Sequence, residues 1–557
     1  MTVPASREGG RLLVEQLVVQ GCEWAFTVPG ESFLPVLDGF YDVREKVKLV
    51  VCRHEAAAAN MAEAYGKLTN QPGVCFVTRG PGATQAAIGV HTAMQDSTPM
   101  VLFIGDVGSD FRDREAFQEV DFSKMFAPLA KWAARIDTVE RIPEYVARAF
   151  QVATSGRRGP VVLALPEDML SQQATVADAR RHVPAEPHPG DAQMLQLQKL
   201  LAQAKRPFVI LGGSGWTPHS CRDFQRFIEA NHLPVGCAFR FQDLLDNRHE
   251  HYVGDVGIGI NPVLAERVRM SDLLVVVGAR LGEMTTGGYT LIDAPVPRQK
   301  LVHVHPGSEE IGRVYQPELG ILSAPGPFAA AAAALTPVEN PPWKSSVAEA
   351  RADYVAWSSR REIPGRVQMW DIVDYLNKKA PDAIYCNGAG NFATWLHRFH
   401  PYTGFRTQLA PTSGAMGYGV PAAIAAKLVQ PQRTVICFAG DGDFLMSGQE
   451  LATAVQYRAA VIIVIVNNGI YGTIRMHQEK HYPGRVIGTD IQNPQFAAYA
   501  RSFGAVGEIV EETAQFGPAF DRCISSGKPA VIEVRIDPQA ISPNTTLDKI
   551  RAAAKKG

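Results

Sequence analysis

The triplet "GDG" at 440–442 follows the apolar run "TVICFA", and "NN" at 467–468 follows "VIIVIV". The intervening residues 443–466 number 24. That length suits a helix of about ten residues, "GQELATAVQY", crossing from one parallel strand to the next. Both turns then fall side by side on one edge of a sheet, and Asp441 and Asn468 converge there. A carboxylate and an amide are hard oxygen donors of the kind magnesium takes, completed by a backbone carbonyl and phosphate oxygens. Gly440 and Gly442 let the backbone approach a diphosphate closely, and the following helix offers its N-terminal amides. "GDG" alone reads as an ordinary tight turn. Paired with "NN" at this spacing, it reads as a phosphate and metal site.

A second candidate is Glu55, in "RHEAAAANMAEAYGK" at 53–67. The preceding "VKLVVC" is apolar and β-branched, which predicts a buried strand. Four alanines follow Glu55 and Gly66 is a plausible stop, which predicts a helix over 55–66. Glu55 thus stands where a strand ends and a helix begins, with a nearly bare turn after it. Glu63 on the same helix reads as an ordinary carboxylate. Glu55 either complements the helix dipole or serves in a dry pocket, where burial would raise its pKa and the helix end would oppose that rise.

The elements that must position these residues are legible in outline. Residues 171–190 and 336–346 are polar and proline-bearing, and they divide the chain into 1–170, 190–335 and 360–540, with a tail at 541–557. Each part alternates short apolar runs with helical patterns, for example "MVLFIGDV", "LLVVVGARLG" and "AVIIVIVNNG". Apolar strands followed by Gly-rich turns and helices predict an α/β fold of three doubly wound parallel-sheet domains, with ligands beyond the carboxyl ends of the strands. The alanine run at 329–334 predicts one helix.

The 557 residues are 46% hydrophobic and 20% charged, with 55 Lys plus Arg against 56 Asp plus Glu. Such a balance points away from nucleic acid and from an anionic membrane surface as partner. Eight scattered cysteines without a Cys-x-x-Cys pair point to a reducing compartment and no structural zinc. The opening "MTVPASREGG" has no apolar signal core and no run reaches transmembrane length, so a cytoplasmic location is the expectation.

The "GDG…NN" pair resembles the diphosphate and metal motif of thiamine-diphosphate enzymes. "VPGESFLPVLDGF", "RHEAAAANMAEAYGK", "RGPGATQAAIGVHTAMQDSTPM" and "EAFQEVD" resemble the same family's pyrimidine-binding domain. Their order and spacing are similar to acetolactate synthase and its relatives, which include oxalyl-CoA decarboxylase, 2-hydroxyacyl-CoA lyase and glyoxylate carboligase. The resemblance covers nearly the whole chain and is weakest in the middle part. It implies thiamine diphosphate and Mg2+ as cofactors. It also implies a lyase or carboligase that decarboxylates a small 2-oxo acid, or makes or breaks a C–C bond next to a carbonyl.

Residue by residue, the resemblance implies that Glu55 hydrogen-bonds N1′ of the aminopyrimidine and so favours the tautomer whose N4′ takes the C2 proton. Pro81 of "GPGA" lies by the same ring. Met416 of "TSGAMGYGVPAAIAA" wedges between the two rings, and the Gly414 carbonyl receives the N4′ amino group. Asn391 and Phe392 of "NGAGNFATW" contact the diphosphate, as do Gly440, Gly442 and the Asp443 amide, with Tyr471 and Gly472 alongside. Asp441, Asn468 and the Ile470 carbonyl hold the metal.

Phe117 and Gln118 match substrate-pocket residues, and Gln118, Glu31 and His477 are further candidates for catalysis. Four positions depart from acetolactate synthases. Asn391 replaces a glutamine, Glu31 a glycine, Glu167 a lysine and His477 a tryptophan. A carboxylate near the thiazolium would repel an anionic oxo acid or assist proton transfer with a neutral aldehyde; alternatively, Glu31 faces solvent.

The middle part in this family binds FAD, ADP or nothing. "LGGSGW" at 211–216 is not a dinucleotide fingerprint, which weighs against FAD. The runner-up substrate is an acyl-CoA, over whose nucleotide the basic tail "DKIRAAAKKG" would close; the tail's other reading is a solvated end. The resemblance further implies a homodimer or dimer of dimers, with Glu55 and Asp441 of one site drawn from different chains. The small-residue faces of 55–66 and 85–94 either serve that contact or pack within the chain.

Overall fold

The computed structural model describes residues 5–555. It contains three six-stranded sheets, parallel throughout, each flanked by helices. Buried strands such as Met100–Asp106 and Leu273–Val277 are apolar almost end to end, as sheets covered on both faces require.

In the first sheet the spatial order is Lys48–Val51, Trp24–Thr27, Gly73–Val77, Met100–Asp106, Pro160–Pro166, Trp132–Arg135. The third sheet repeats that winding: Gln408–Leu409, Ile384–Asn387, Val435–Gly440, Ile462–Asn467, Ala530–Arg535, Val506–Val510. In both, the first strand in chain order has the second on one side and the third on the other. The switch point therefore opens between the turns that follow strands one and three. The central sheet is wound differently: Tyr252–Val256, Val235–Ala238, Pro207–Leu211, Leu273–Val277, Lys300–His305, Leu319–Leu322.

By packing, the chain forms two units. One holds the chain up to Ala185 with Val420–Gln430 and Ser447–Tyr457, and the other holds the rest. The crossover after "GDG" is a 3-10 turn, Gly448–Glu450, leading into a six-residue helix, Leu451–Gln456, rather than one ten-residue helix. Both belong to the first unit.

The polar stretches are not free spacers. Within 171–190, Gln173–Ala174 pairs antiparallel with Arg7–Glu8, and Asp178 accepts from Arg7 and Gln16. Within 336–346, Trp343 is 2% exposed and donates its indole N–H to the Asn231 carbonyl. The alanine run does form one helix, Pro325–Ala333.

The helix that starts at Glu55 runs past Gly66 to Thr69 and ends at Asn70, whose φ is +64°. Gly66 is there for contact: a Cβ on it would lie 2.3 Å from the Pro99 carbonyl oxygen. Glu63 is not an ordinary surface carboxylate either. It is fully buried, accepts from Thr98 at 2.7 Å and lies 3.9 Å from Lys67, which also pairs with buried Asp96. The small-residue faces pack within the chain. A Cβ on Gly89 would stand 2.4 Å from the Ala59 Cβ, so this stripe supplies no argument for association.

Candidate active site

The first sheet's switch point lies between the turns after Trp24–Thr27 and Gly73–Val77. A Cβ on Gly30 would reach within 2.5 Å of Thr78, and Ser32 and Thr78 share a hydroxyl hydrogen bond of 2.9 Å. Glu55 opens its helix directly after His54, whose ring nitrogen caps the Ala56 N–H at 3.1 Å. Its carboxylate leans on the start of the helix Gly80–Asp96, where a Cβ on Gly82 would sit 3.5 Å from Glu55 Oε1. Glu55 is half-buried, and Pro81 is exposed at that helix's first turn.

A carboxylate the sequence reading passed over fixes this corner. Glu450 is fully buried and accepts the backbone N–H of Arg53 at 3.0 Å and the hydroxyl of Thr453 at 2.5 Å. Burial pushes its pKa up, while these donors and the His54 amide pull it back. The Tyr457 hydroxyl takes the Val51 N–H at 2.8 Å. The segment after "GDG" thus holds the backbone that carries Glu55.

The remaining candidates of this part are dispersed along the sheet edge. Gln118 lies in a loop with φ of +64°, and its carbonyl accepts the Gly80 N–H at 3.0 Å. Phe117 is 72% exposed. Glu31 is exposed at the start of a 3-10 turn. Glu167 is engaged by Arg79, a cation that the sequence reading did not single out although it stands inside the quoted "RGPGA".

The third sheet's switch point holds a cavity of about 240 Å³. Asn391 and Phe392 line it from one turn, and Gly414 and Met416 from another. Gly440, Asp441, Gly442 and Asp443 line it from the turn after the third strand, and Asn468, Ile470, Tyr471 and Gly472 from the segment after the fourth. His477 is not among its lining residues; it is exposed on the helix Gly472–His481, with its ring stacked near His481.

The two glycines of "GDG" are sterically required. A Cβ on Gly440 would stand 2.7 Å from the Phe392 ring, and one on Gly442 2.6 Å from the Tyr471 ring. Asp441 is 3% exposed. Its Oδ2 accepts the Gly469 N–H at 3.0 Å and the Asn493 amide at 2.6 Å. Burial raises its pKa against these donors. Asn493 is a further residue the sequence reading missed. It also donates to Asn467, while its own Oδ1 is buried without a partner. The two asparagines of "NN" separate in role, since Asn467 turns to Glu533 and Asn468 faces the cavity.

The Asp443 carboxylate braces the other turns. It accepts the Gly417 N–H at 2.8 Å, and a Cβ on Gly388 would fall 2.0 Å from it. Burial raises its pKa to about 7. The Asn391 side chain is spent on tying elements together, accepting from Thr473 at 2.8 Å and donating to the Ile541 carbonyl at 3.3 Å.

Ile541 belongs to the C-terminal segment, which is not a solvated end. Ile536, Ala540 and Ile541 line the cavity. The helix Leu547–Ala554 docks on Gly472–His481 through Arg551 and the fully buried Glu479.

The arrangement can hold an anion of diphosphate size. It offers close backbone, helix N-terminal amides, two buried carboxylates, Asp441 and Asp443, and one amide oxygen. Among the described residues no group of three or more His, Cys, Asp and Glu side chains could by itself hold a metal ion. A cation at Asp441 would therefore share its ligands with a bound anion.

Comparison with known proteins shows the family. Residues 7–125 match the N-terminal TPP binding domain of thiamine pyrophosphate enzymes, 194–332 their central domain and 388–534 their C-terminal TPP binding domain. The chain is 31% identical to the acetolactate synthase large subunit of Corynebacterium glutamicum, over 95% of this chain and 87% of that one. It is 30% identical to that of Parasynechococcus marenigrum, over 96% and 88%. It is 29% identical to the acetolactate synthase isozyme 2 large subunit of Escherichia coli, over 95% of each. The chain belongs to the thiamine pyrophosphate enzyme family, as a thiamine-diphosphate-dependent decarboxylase/carboligase of the acetolactate synthase type.

Proposed function

We propose that the protein is a Mg2+-dependent carboligase that takes an acyl group from a 2-oxo acid, with loss of CO2, and joins it to a second carbonyl compound. The observation that carries this reading is the cavity at the third switch point, lined by Asp441 and Asn468, with glycines where backbone must approach. Asp441, Asn468 and the Ile470 carbonyl would hold the magnesium, and the turns at 390–392 and 440–443 would hold the diphosphate. Bound there, thiamine diphosphate supplies the carbanion that attacks a carbonyl and the electron sink that permits decarboxylation. Toward that cofactor, Glu55 would hold a proton at N1′ of the pyrimidine, Met416 would supply the apolar surface for the rings, and the Gly414 carbonyl would accept from the amino group.

In this reading the subunits form a two-fold homodimer or dimer of dimers, and each site draws Glu55 from one chain and Asp441 from the other. Glu55 and Asp441 belong to separate packing units of the chain, which is compatible with sharing. The central part carries no FAD. At its own switch point the turns press together, since a Cβ on Gly213 would lie 2.0 Å from the Gly278 carbonyl oxygen. A visible spectrum of the purified protein tests this, with flavin absorbance as the contrary result.

The main test titrates thiamine diphosphate against the protein with Mg2+ and with chelator, following Trp395, which lines the cavity. A panel of 2-oxo acids, aldehydes and acyl-CoA thioesters is then offered to the holoenzyme and the products read by mass spectrometry. Reaction with thioesters alone would favour the acyl-CoA alternative. Of the basic tail that would serve that alternative, Arg551 is committed to Glu479.

A further inference from the structure

The first switch point is flanked by the turns carrying Glu31 and Arg79. Arg79 precedes the helix Gly80–Asp96, whose N-terminal end already carries positive potential. Its guanidinium is held in from solvent, at 8% exposure for the residue. Nη2 pairs with Glu167, Nη1 donates to the Phe117 carbonyl at 3.4 Å, and Nε is buried without a partner. A cation buried at a helix N-terminus is doubly unfavourable unless an anion meets it. In this chain the anion is built in.

Glu167 stands at the end of the strand Pro160–Pro166, at the first residue of the helix Glu167–Ser171, with its side chain 35% exposed. Its neighbour Asp168 takes the Ser109 N–H at 2.9 Å. Asp110 adds a further negative charge, since a Cβ on Gly108 would stand 3.1 Å from Asp110 Oδ1, 3.7 Å from Glu167 Oε1 and 3.9 Å from Asp168 Oδ1. The corner therefore offers an anionic substrate no unpaired cation from this set, and two carboxylates besides the paired one.

We infer that the Arg79–Glu167 pair selects an uncharged aldehyde over a 2-oxo acid as the acceptor, because Glu167 occupies the place against Arg79 that a substrate carboxylate would otherwise take. This rests on the carboligase reading and names its second substrate. The reaction is RCOCOO⁻ + R′CHO + H⁺ → RCOCH(OH)R′ + CO2. The C1–C2 bond of the oxo acid breaks and leaves its electron pair on the acyl carbon. That carbon bonds to the aldehyde carbon, and the aldehyde oxygen takes the proton. No oxidant is needed. Glu167 and Arg79 act as specificity determinants and transfer no proton.

The test uses the holoenzyme with Mg2+, the donor identified by the product screen, and benzaldehyde and 2-oxobutanoate in equimolar competition. Mass spectrometry reads the ratio of the two products. The wild type is expected to give the aldehyde-derived hydroxy ketone in excess. Glu167→Gln is expected to raise the 2-oxobutanoate share at least tenfold, and Arg79→Gln to lower it. The swapped pair, Arg79→Glu with Glu167→Arg, is expected to return the ratio to within about threefold of wild type. A ratio that Glu167→Gln leaves within twofold, or a wild type that prefers 2-oxobutanoate, overturns the inference while leaving the carboligase reading standing. If Glu167→Gln does not fold, Arg79→Gln decides: an increase in the 2-oxobutanoate share overturns the inference. No carbon–carbon product from any donor and acceptor with wild type overturns the carboligase reading itself.

Discussion

The first and third sheets are wound in the same strand order, and each opens a crevice between the turns after its first and third strands. What fills the two crevices differs. The third is lined by oxygen donors and by glycines that a single methyl group would jam against aromatic rings. The first is built from a carboxylate on a helix start, small residues and an internally neutralised cation. Topology therefore supplies the location, and the side chains set the chemistry proposed for it, an anion grip in the third and proton and substrate handling in the first.

The widest gap between the two crevices should appear when each loses its carboxylate. Asp441→Ala removes the sole charged ligand proposed for a hard cation, so Mg2+-dependent thiamine diphosphate binding should fall by more than about a hundredfold in a fluorescence titration. Glu55→Gln should leave that affinity within a few fold, yet slow C2–H exchange of the bound cofactor by orders of magnitude, as NMR can follow. Equal binding losses in both variants would erase the proposed division of labour.

Mixing these two inactive variants asks whether the crevices that cooperate belong to different chains. Shared sites predict heterodimers with one doubly damaged and one intact site, and recovery to about half of wild-type activity per heterodimer. Lack of recovery, with subunit exchange verified by native mass spectrometry, would mean that each site is built within one chain.

A subtler contrast is steric. Gly442→Ala would place a methyl 2.6 Å from the Tyr471 ring, whereas Gly82→Ala meets the Thr78 methyl at 3.1 Å and Glu55 Oε1 at 3.5 Å. The first should weaken cofactor binding at least about tenfold, roughly 1.4 kcal/mol, and the second by less than about threefold. Reversal of that order would show that the first crevice is the tighter one.

Much of this was legible before any coordinates. Strands such as "VIIVIV" and the turns after them are local signals, and nearly every third-part residue singled out from motifs lines one cavity. What escaped depends on partners distant in sequence. Asn493 is an unremarkable loop residue until Asp441 is beside it, and Glu450 looks like one more helix carboxylate until the Arg53 amide reaches it. Glu63 was misread for the same reason, because its burial against Thr98 has no local signature. Gly66 was misread as a stop because Pro99, which it must admit, lies outside any local window. Glu167 drew notice as a departure, but its meaning lay in Arg79, across the sheet edge.

The smallest effect concerns the C-terminal segment, which lines the third crevice. Ile541 reaches the cavity, and the helix behind it is anchored by Arg551 on Glu479. The hydrogen bond from Arg551 depresses the Glu479 pKa from its usual 4.5 to about 2. A carboxylate whose folded-state pKa lies below its unfolded value contributes stability that is complete above the unfolded value and is lost as pH falls through the folded one. The contribution should hold at pH 7, decline below about pH 4.5 and vanish toward pH 2. Arg551 is 35% exposed, so solvent screening reduces the gain to about 1–2 kcal/mol. Glu479→Gln should lower the denaturant midpoint at pH 7 and speed hydrogen exchange in Leu547–Ala554, with the gap to wild type narrowing between pH 4 and pH 3. A gap that stays constant from pH 7 to pH 3 would assign the anchoring to the apolar contacts of Ile470, Ile541 and Leu547 instead.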